Sequence, residues 1–115
     1  MKVGFVQFNP RFGEVDGNLE TVERLVDAVD ADLLVLPELF NTGYLFVSAE
    51  EVGGLSEEIP AGKTTEFLVR LARRKGMHLL GGLAERDGDR FYNSAVLVSP
   101  RGYAGTYRKV HLFFE

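Results

Sequence analysis

A glutamate that directly follows an apolar strand is the first residue in this sequence whose position suggests chemistry. Residues 33–36 are Leu-Leu-Val-Leu between Asp32 and Pro37, as expected of a strand buried on both faces. Proline cannot donate to a sheet ladder, so the strand ends there and Glu38 begins the loop. Ligands usually bind at this end of strands, and burial would raise the pKa of Glu38, which suits a general base. The alternative interpretation is a solvated acid after a strand.

The elements that would position this glutamate alternate between strands and helices. The pattern predicts helices beginning at Asp16 or Asn18 and at Lys63 or Thr64, and a short one after Ser48. Strands are predicted at residues 2–8, 33–36, 77–85, 90–98 and 103–107. The first strand is apolar on both faces, which predicts a central position in the sheet. The order β-α-β-α-β-β-β predicts a mixed α/β layer with antiparallel strands at one end.

A glycine pair interrupts the third predicted strand. Gly81 and Gly82 lie within the segment MHLLGGLAE. Glycines inside a strand indicate a bulge or a place where another backbone approaches closely. No helix follows them directly, so a phosphate-binding loop is not indicated.

Composition excludes several classes of protein. The 115 residues suit one domain, and 45% are hydrophobic, which is enough for a core. The net charge of −4 argues against a nucleic-acid surface. There are no cysteines, so disulfides, zinc–cysteine sites and a cysteine nucleophile within this chain are excluded. His78 and His111 lack metal-ligand spacing and are expected to be structural, and no metal or organic cofactor is indicated.

Neither a signal peptide nor an apolar stretch of membrane-spanning length is apparent. The expected location is therefore cytoplasmic, with no membrane partner.

Two segments together resemble the carbon–nitrogen hydrolase (nitrilase) family. Residues 36–44, LPELFNTGY, resemble its first signature, and residues 107–112, YRKVHL, resemble its second. Residues 91–95, FYNSA, resemble the strand between the two signatures, and residues 16–18, DGN, resemble the start of the first helix. The order and spacing of these segments agree along the whole chain.

The resemblance implies a fold and a set of catalytic residues. The fold is an αββα sandwich that dimerises, with residues 1–115 as the N-terminal part of a single domain. The family acts on small amides or nitriles through a glutamate, a lysine and a cysteine. By motif, Glu38 is the general base, Lys109 the cationic stabiliser and Tyr44 a substrate-binding residue. Glu38 and Lys109 would keep each other charged, which opposes the effect of burial, so the net direction of the shift in the Glu38 pKa stays open.

The expected cysteine belongs to a third signature that would follow Lys109, beyond this chain. The segment alone is therefore expected to be inactive and to need the missing C-terminal half, and a homo-oligomer is expected. Residues 109–113, KVHLF, resemble the amidase-type branches more than the typical nitrile-hydrolysing branch, although some thermostable aliphatic nitrilases share this sequence.

Two other interpretations stay open. A shortened copy without its nucleophile could act as a non-catalytic module in binding or assembly. A flavodoxin-like nucleotide-binding domain would explain the strand–helix alternation, but residues 9–13, NPRFG, lack the glycine density of a phosphate loop.

Overall fold

The computed structural model describes residues 1–46 and 48–111, without the side chains of Ala49, Val110 and His111. Leu112 at the end of the second family-like segment and the expected structural role of the His111 side chain lie outside this description. The elements are β1 (Val3–Phe5), α1 (Val15–Asp27), β2 (Leu33–Val35), α2 (Ala49–Leu55), α3 (Lys63–Lys75), β3 (His78–Asp87), β4 (Arg90–Ser99) and β5 (Gly102–His111).

The five strands form one mixed sheet in the order β1-β2-β3-β4-β5. Strands β1, β2 and β3 run parallel, and β3, β4 and β5 are joined antiparallel. This arrangement confirms the predicted α/β layer with its antiparallel strands at one end. It places Val35, at the carboxyl end of β2, beside Leu80 in the first half of the long strand β3.

The predicted central position of β1 is wrong for the described part of the chain. Strand β1 lies at the edge of this sheet, and Val3 and Phe5 are 57% and 73% exposed. Residues 33–36 are likewise not buried on both faces, because Leu34 is buried while Val35 is only half-buried. The physical reason is that α1 and α3 cover one face of the sheet, and the described residues leave the other face open.

The core lies between these two helices and the covered face of the sheet. Helix α1 contributes Val22 and Val26, helix α3 contributes Leu68 and Leu71, and all four are buried. The buried core cluster also includes the strand residues Leu34, Leu36, Leu79, Leu83, Val96 and Val98. Both helices thus bury most of the apolar stripes that their sequence spacing predicts, but Val29, the last predicted member of the α1 stripe, lies after the helix and is exposed.

The helix starts differ in part from expectation. Helix α1 begins at Val15, and neither Asp16 nor Asn18 caps it, because their side chains bond elsewhere. The short helix α2 is confirmed, and the Ser48 hydroxyl accepts a hydrogen bond from the Glu51 backbone N–H at 3.2 Å.

In the part of the chain that the structure describes, no helix combines the length and apolar character needed to cross a membrane.

We expect Leu68→Ala to lower the free energy of unfolding by about 2–5 kcal/mol, because a fully buried side chain leaves a cavity. Urea denaturation of the full-length protein that carries this segment measures the change. Val29→Ala, at an exposed position just after α1, is the control and should change stability by less than about 0.5 kcal/mol. A loss below about 1 kcal/mol for Leu68→Ala would contradict the packing described here.

Candidate active site

The loop that carries Glu38 is fastened to strand β3 by its backbone. The Leu36 N–H donates to the Leu80 carbonyl at 2.7 Å, and the Phe40 N–H donates to the Gly82 carbonyl at 3.0 Å. Between them Leu39 adopts a positive φ of 47°, which is uncommon for a residue with a side chain. Such conformations persist where the surroundings enforce them, often at functional sites.

Buried polar side chains fasten the same loop to the helices. The Asn41 amide donates to Glu57 Oε2 at 3.2 Å and to Thr64 Oγ1 at 3.0 Å. Glu57 also accepts from the Thr64 backbone N–H at 2.7 Å, so its carboxylate caps the start of α3. The Asn18 amide of α1 donates to the Asn41 carbonyl at 2.9 Å. These contacts hold the loop on the helix-covered side of the sheet, and Glu38 faces the open side.

The glycine pair of β3 provides the close approach that the sequence predicts. A Cβ on Gly82 would lie 3.0 Å from the Cα of Glu38 and 3.2 Å from the backbone nitrogen of Leu39. A Cβ on Gly81 would lie 2.7 Å from the Phe40 ring. Larger residues would therefore push the Glu38 loop away from the strand.

Lys109 reaches the site through an irregularity in strand β5. Ser94 of β4 pairs with Arg108, whereas the preceding Asn93 pairs with Val110, so Lys109 is an extra residue in the ladder. A β-bulge of this kind redirects side chains and is common beside active sites. The sequence carries no local signal for it, because the register depends on the partner strand.

The residue before the bulge is anchored on the helix-covered side of the sheet. Arg108 donates to both oxygens of the buried Glu85 carboxylate at 2.9 and 3.0 Å and to Asp87 at 2.9 Å. Its guanidinium lies 4.1 Å from the centre of the Tyr92 ring, and Ser94 donates to Glu85 at 2.7 Å. Burial raises the pKa of Glu85, but the hydrogen bonds from Arg108 and Ser94 outweigh it and hold the pKa below its ordinary value.

The structure brings Glu38 and Lys109 together. Lys109 Nζ lies 3.1 Å from Glu38 Oε2, and each side chain is about two-fifths exposed, at 42% and 41%. The other carboxylate oxygen, Oε1, accepts a hydrogen bond from the side-chain amide of Asn93. Both oxygens of Glu38 therefore have a donor, one cationic and one neutral.

The electrostatics of Glu38 differ from the expectation based on burial alone. The hydrogen bond from Asn93 and then that from Lys109 lower the pKa of Glu38 below its ordinary value, against a smaller opposing effect of burial. The sequence leaves the net direction of this shift open, because burial and the Lys109 charge have opposite effects, and in the structure the donors outweigh burial. The carboxylate is poised in its charged form.

Tyr44 lies at the exposed side of the same loop. Its side chain is 57% exposed, and its pKa is raised by burial and by the negative charge of Glu38, while Lys109 opposes the rise. Tyr44 is therefore close enough to Glu38 and Lys109 for both charges to affect its pKa. In the part of the chain that the structure describes, Tyr44 is not among the residues that line the cavity beside Glu38.

The cavity beside Glu38 is small and mostly apolar. Its volume is about 200 Å³, and it opens on the sheet face that the helices leave uncovered. The lining residues are Val35, Leu36, Glu38, Leu80, Gly81, Gly82, Ala95 and Lys109. A carboxylate and an ammonium thus converge at the edge of an apolar hollow, which favours polar chemistry on a small organic molecule.

No group of three or more His, Cys, Asp or Glu side chains in residues 1–46 and 48–111 is arranged to hold a metal ion.

Comparison with known proteins defines the family to which this fold and site belong. A profile described as Carbon-nitrogen hydrolase matches residues 2–115, and the chain belongs to that family. A nitrilase from Pyrococcus abyssi is 50% identical over 118 residues, covering 100% of this chain and 45% of the relative. An (R)-stereoselective amidase from Pseudomonas sp is 37% identical over 115 residues, covering 98% of this chain and 41% of the relative.

The solved structures agree with this assignment. Nit3 from Saccharomyces cerevisiae, a member of branch 10 of the nitrilase superfamily, superposes with a TM-score of 0.82 at 27% identity, covering 96% of this chain and 44% of Nit3. The predicted nitrilase-type α/β fold is therefore confirmed. The chain spans less than half the length of these relatives, at 45%, 41% and 44%.

We expect Gly82→Ala to lower the free energy of unfolding by about 1–3 kcal/mol, because the new methyl group would meet the backbone of Glu38 rather than a movable side chain. Thermal or urea denaturation of the full-length protein provides the measurement. Gly105→Ala is the matched control on β5, where an added Cβ has no neighbour within 4 Å. Equal effects of the two substitutions would show that β3 and the Glu38 loop are not in close contact.

Proposed function

We propose that this chain supplies the base and the cation of a hydrolase that cleaves a non-peptide carbon–nitrogen bond in a small amide or nitrile. The observation that carries the proposal is the 3.1 Å contact between Lys109 Nζ and Glu38 Oε2 at the edge of an apolar cavity. The nucleophile is a cysteine from chain outside residues 1–115, because this segment contains none. By itself, the segment is inactive in this proposal.

The residue types suit the hydrolysis of an unactivated amide. In the first half of the reaction, Glu38 accepts the thiol proton and the sulfur attacks the carbonyl carbon. The Lys109 ammonium stabilises the negative oxygen of the tetrahedral intermediate. The carbon–nitrogen bond then breaks, and the leaving nitrogen takes the proton from Glu38. In the second half, Glu38 removes a proton from water as the water attacks the thioester, and the proton returns to the departing sulfur.

The substrate class rests on the relatives and on the cavity. The matched proteins are named a nitrilase and an (R)-stereoselective amidase, so their names include both nitrile and amide chemistry. A hollow of about 200 Å³ that includes Val35, Leu80 and Ala95 favours a small, partly apolar substrate. Tyr44, at the exposed side of the Glu38 loop, is proposed to contact the substrate.

The uncovered face of the sheet supports the proposal that residues 1–115 are one part of a larger domain. The strand pairing places Val3 beside Leu33 and Phe5 beside Val35 on this face, next to the Glu38 cavity. Contiguous apolar surface of this kind is normally buried against another element. We propose that further chain, with a second copy of the protein, completes the αββα sandwich and its oligomer.

We expect Phe5→Ala to lower the free energy of unfolding of the full-length protein by about 3–5 kcal/mol, because the ring would be buried there. The same ring is 73% exposed in the segment described here. Urea denaturation measures the change, and Val29→Ala again serves as the control. A loss below about 1 kcal/mol would contradict a covered face.

We expect Glu38→Gln and Lys109→Ala each to lower kcat of the full-length enzyme by about 10²–10⁴-fold, because each removes a group that moves a proton or stabilises charge. Ammonia release from a panel of small aliphatic amides and nitriles measures the effect. Circular dichroism checks that each variant is folded.

Lys63→Ala provides the matched control for the lysine. Lys63 also pairs with a carboxylate, Asp16 at 2.9 Å, but on the exposed surface and outside the Glu38 cavity. Its loss should leave turnover unchanged. Full turnover in Glu38→Gln or Lys109→Ala would contradict the proposed roles, and no turnover in the wild-type full-length protein would favour a non-catalytic module.

A further inference from the structure

The side chain of Asn93 has an unusual relation to the candidate site. It is 8% exposed in the middle of strand β4, and its amide nitrogen donates to Glu38 Oε1 while Lys109 contacts Oε2. We infer that Asn93 is a positioning residue that fixes the orientation and the charged state of Glu38. This inference rests on the proposed function of Glu38 as the base, and it adds a residue that the sequence analysis did not assign.

The contacts of other buried asparagines show why a merely structural role is a poor explanation. Asn18 bonds to backbone groups of two loops, and Asn41 joins a loop to Glu57 and Thr64. Among the described residues, Asn93 makes its side-chain hydrogen bond to Glu38, and its Oδ1 has no partner there. Its contact is therefore directed at the candidate base rather than at the scaffold.

The same strand irregularity places Asn93 and Lys109 together. Asn93 lies on one side of the register shift in β4, and the bulge on β5 contains Lys109. On the helix-covered side, the next residue, Ser94, donates to Glu85, which also binds Arg108. Adjacent residues of β4 thus each give one neutral donor to a carboxylate that also has a cationic partner.

Electrostatics supports the orientation of the Asn93 side-chain amide, in which the NH₂ group faces Glu38. A carboxylate has only acceptors, so the group that faces Glu38 Oε1 must be the NH₂ rather than the carbonyl oxygen. Each residue around Glu38 then has a separate effect: Lys109 supplies a full charge, and Asn93 supplies a directed donor that holds one oxygen in place.

Removing the amide donor should make Glu38 easier to protonate. Within the described residues, Lys109 from β5 is the charged group that acts on Glu38, and Tyr44 from the same loop is a titratable group whose pKa responds to Glu38; both remain in an Asn93 variant. The hydrogen bond from Asn93 is the largest influence that lowers the pKa of Glu38, ahead of Lys109. Its loss therefore raises that pKa, and an aspartate at this position raises it further by adding a like charge.

The test compares Asn93→Ala and Asn93→Asp in the full-length enzyme. We expect kcat/KM at neutral pH to fall at least about tenfold and the acid limb of its pH profile to move to higher pH, furthest for Asn93→Asp. Arg90→Gln is the matched control, because it lies at the exposed start of β4 and changes the net charge by the same amount as Asn93→Asp. Its pH profile should match that of the wild type.

An NMR titration of the Glu38 carboxyl carbon separates this inference from the proposed function. The resonance is assigned by its loss in Glu38→Gln, and its titration should move to higher pH in the Asn93 variants. If the wild type hydrolyses no amide or nitrile, the proposed function fails, yet this titration still decides the role of Asn93. An unchanged titration would overturn the inference even if activity fell. Should Asn93→Ala not fold, Asn93→Asp, which keeps the side-chain shape, decides alone.

Discussion

The contact between Glu38 and Lys109 is the interaction for which the rest of the chain provides the setting. At 3.1 Å, and with both side chains about two-fifths exposed, this pair adds little to stability, because water screens it and two long side chains must be held still. The fold nevertheless positions both partners firmly. A backbone-bonded loop with a positive φ at Leu39 holds the acid, and a bulge in β5 directs the lysine. Features that conflict with local preference without a gain in stability are typical of functional sites.

Strand β4 separates two carboxylates with similar partners and different surroundings. On the helix-covered side, Glu85 is buried, and Ser94 and Arg108 donate hydrogen bonds to it. Both of its carboxylate oxygens therefore have donors, which stabilise its negative charge. This cluster stiffens the β-hairpin and holds the residue beside the bulge. On the open side, Glu38 has an amide donor and an ammonium but remains accessible. Similar chemistry thus serves as an anchor on one face and as a candidate base on the other.

The sequence predicts local features of this chain well and long-range ones poorly. The helix stripes of α1 and α3, the strand before Pro37 and the close approach at Gly82 each depend on neighbouring residues or on one residue type, and the structure agrees with them. The edge position of β1 was not predicted. An apolar strand pattern indicates burial, but it does not show whether the residues that bury the strand belong to the same segment. The bulge at Lys109 and the contact of Asn93 with Glu38 depend on register between distant strands. The sign of the pKa shift at Glu38 depends on donor distances that spacing cannot supply.

In the proposed mechanism, the low pKa of Glu38 has a consequence for catalysis by the complete domain. A carboxylate with a lowered pKa is always ionised near neutral pH, but it is a weak base toward a thiol with an ordinary pKa of about 8.5. Covering the open face would remove water from the site, which favours the protonated acid and makes Glu38 a stronger base. The attraction of Lys109 would grow at the same time and oppose part of this rise in pKa, since charges 4 Å apart interact by about 1 kcal/mol in water and about 4 kcal/mol at an effective dielectric constant of 20. The strengthened ammonium also stabilises a substrate oxyanion better. Completing the domain would therefore tune the base and the cation together, beyond supplying the sulfur.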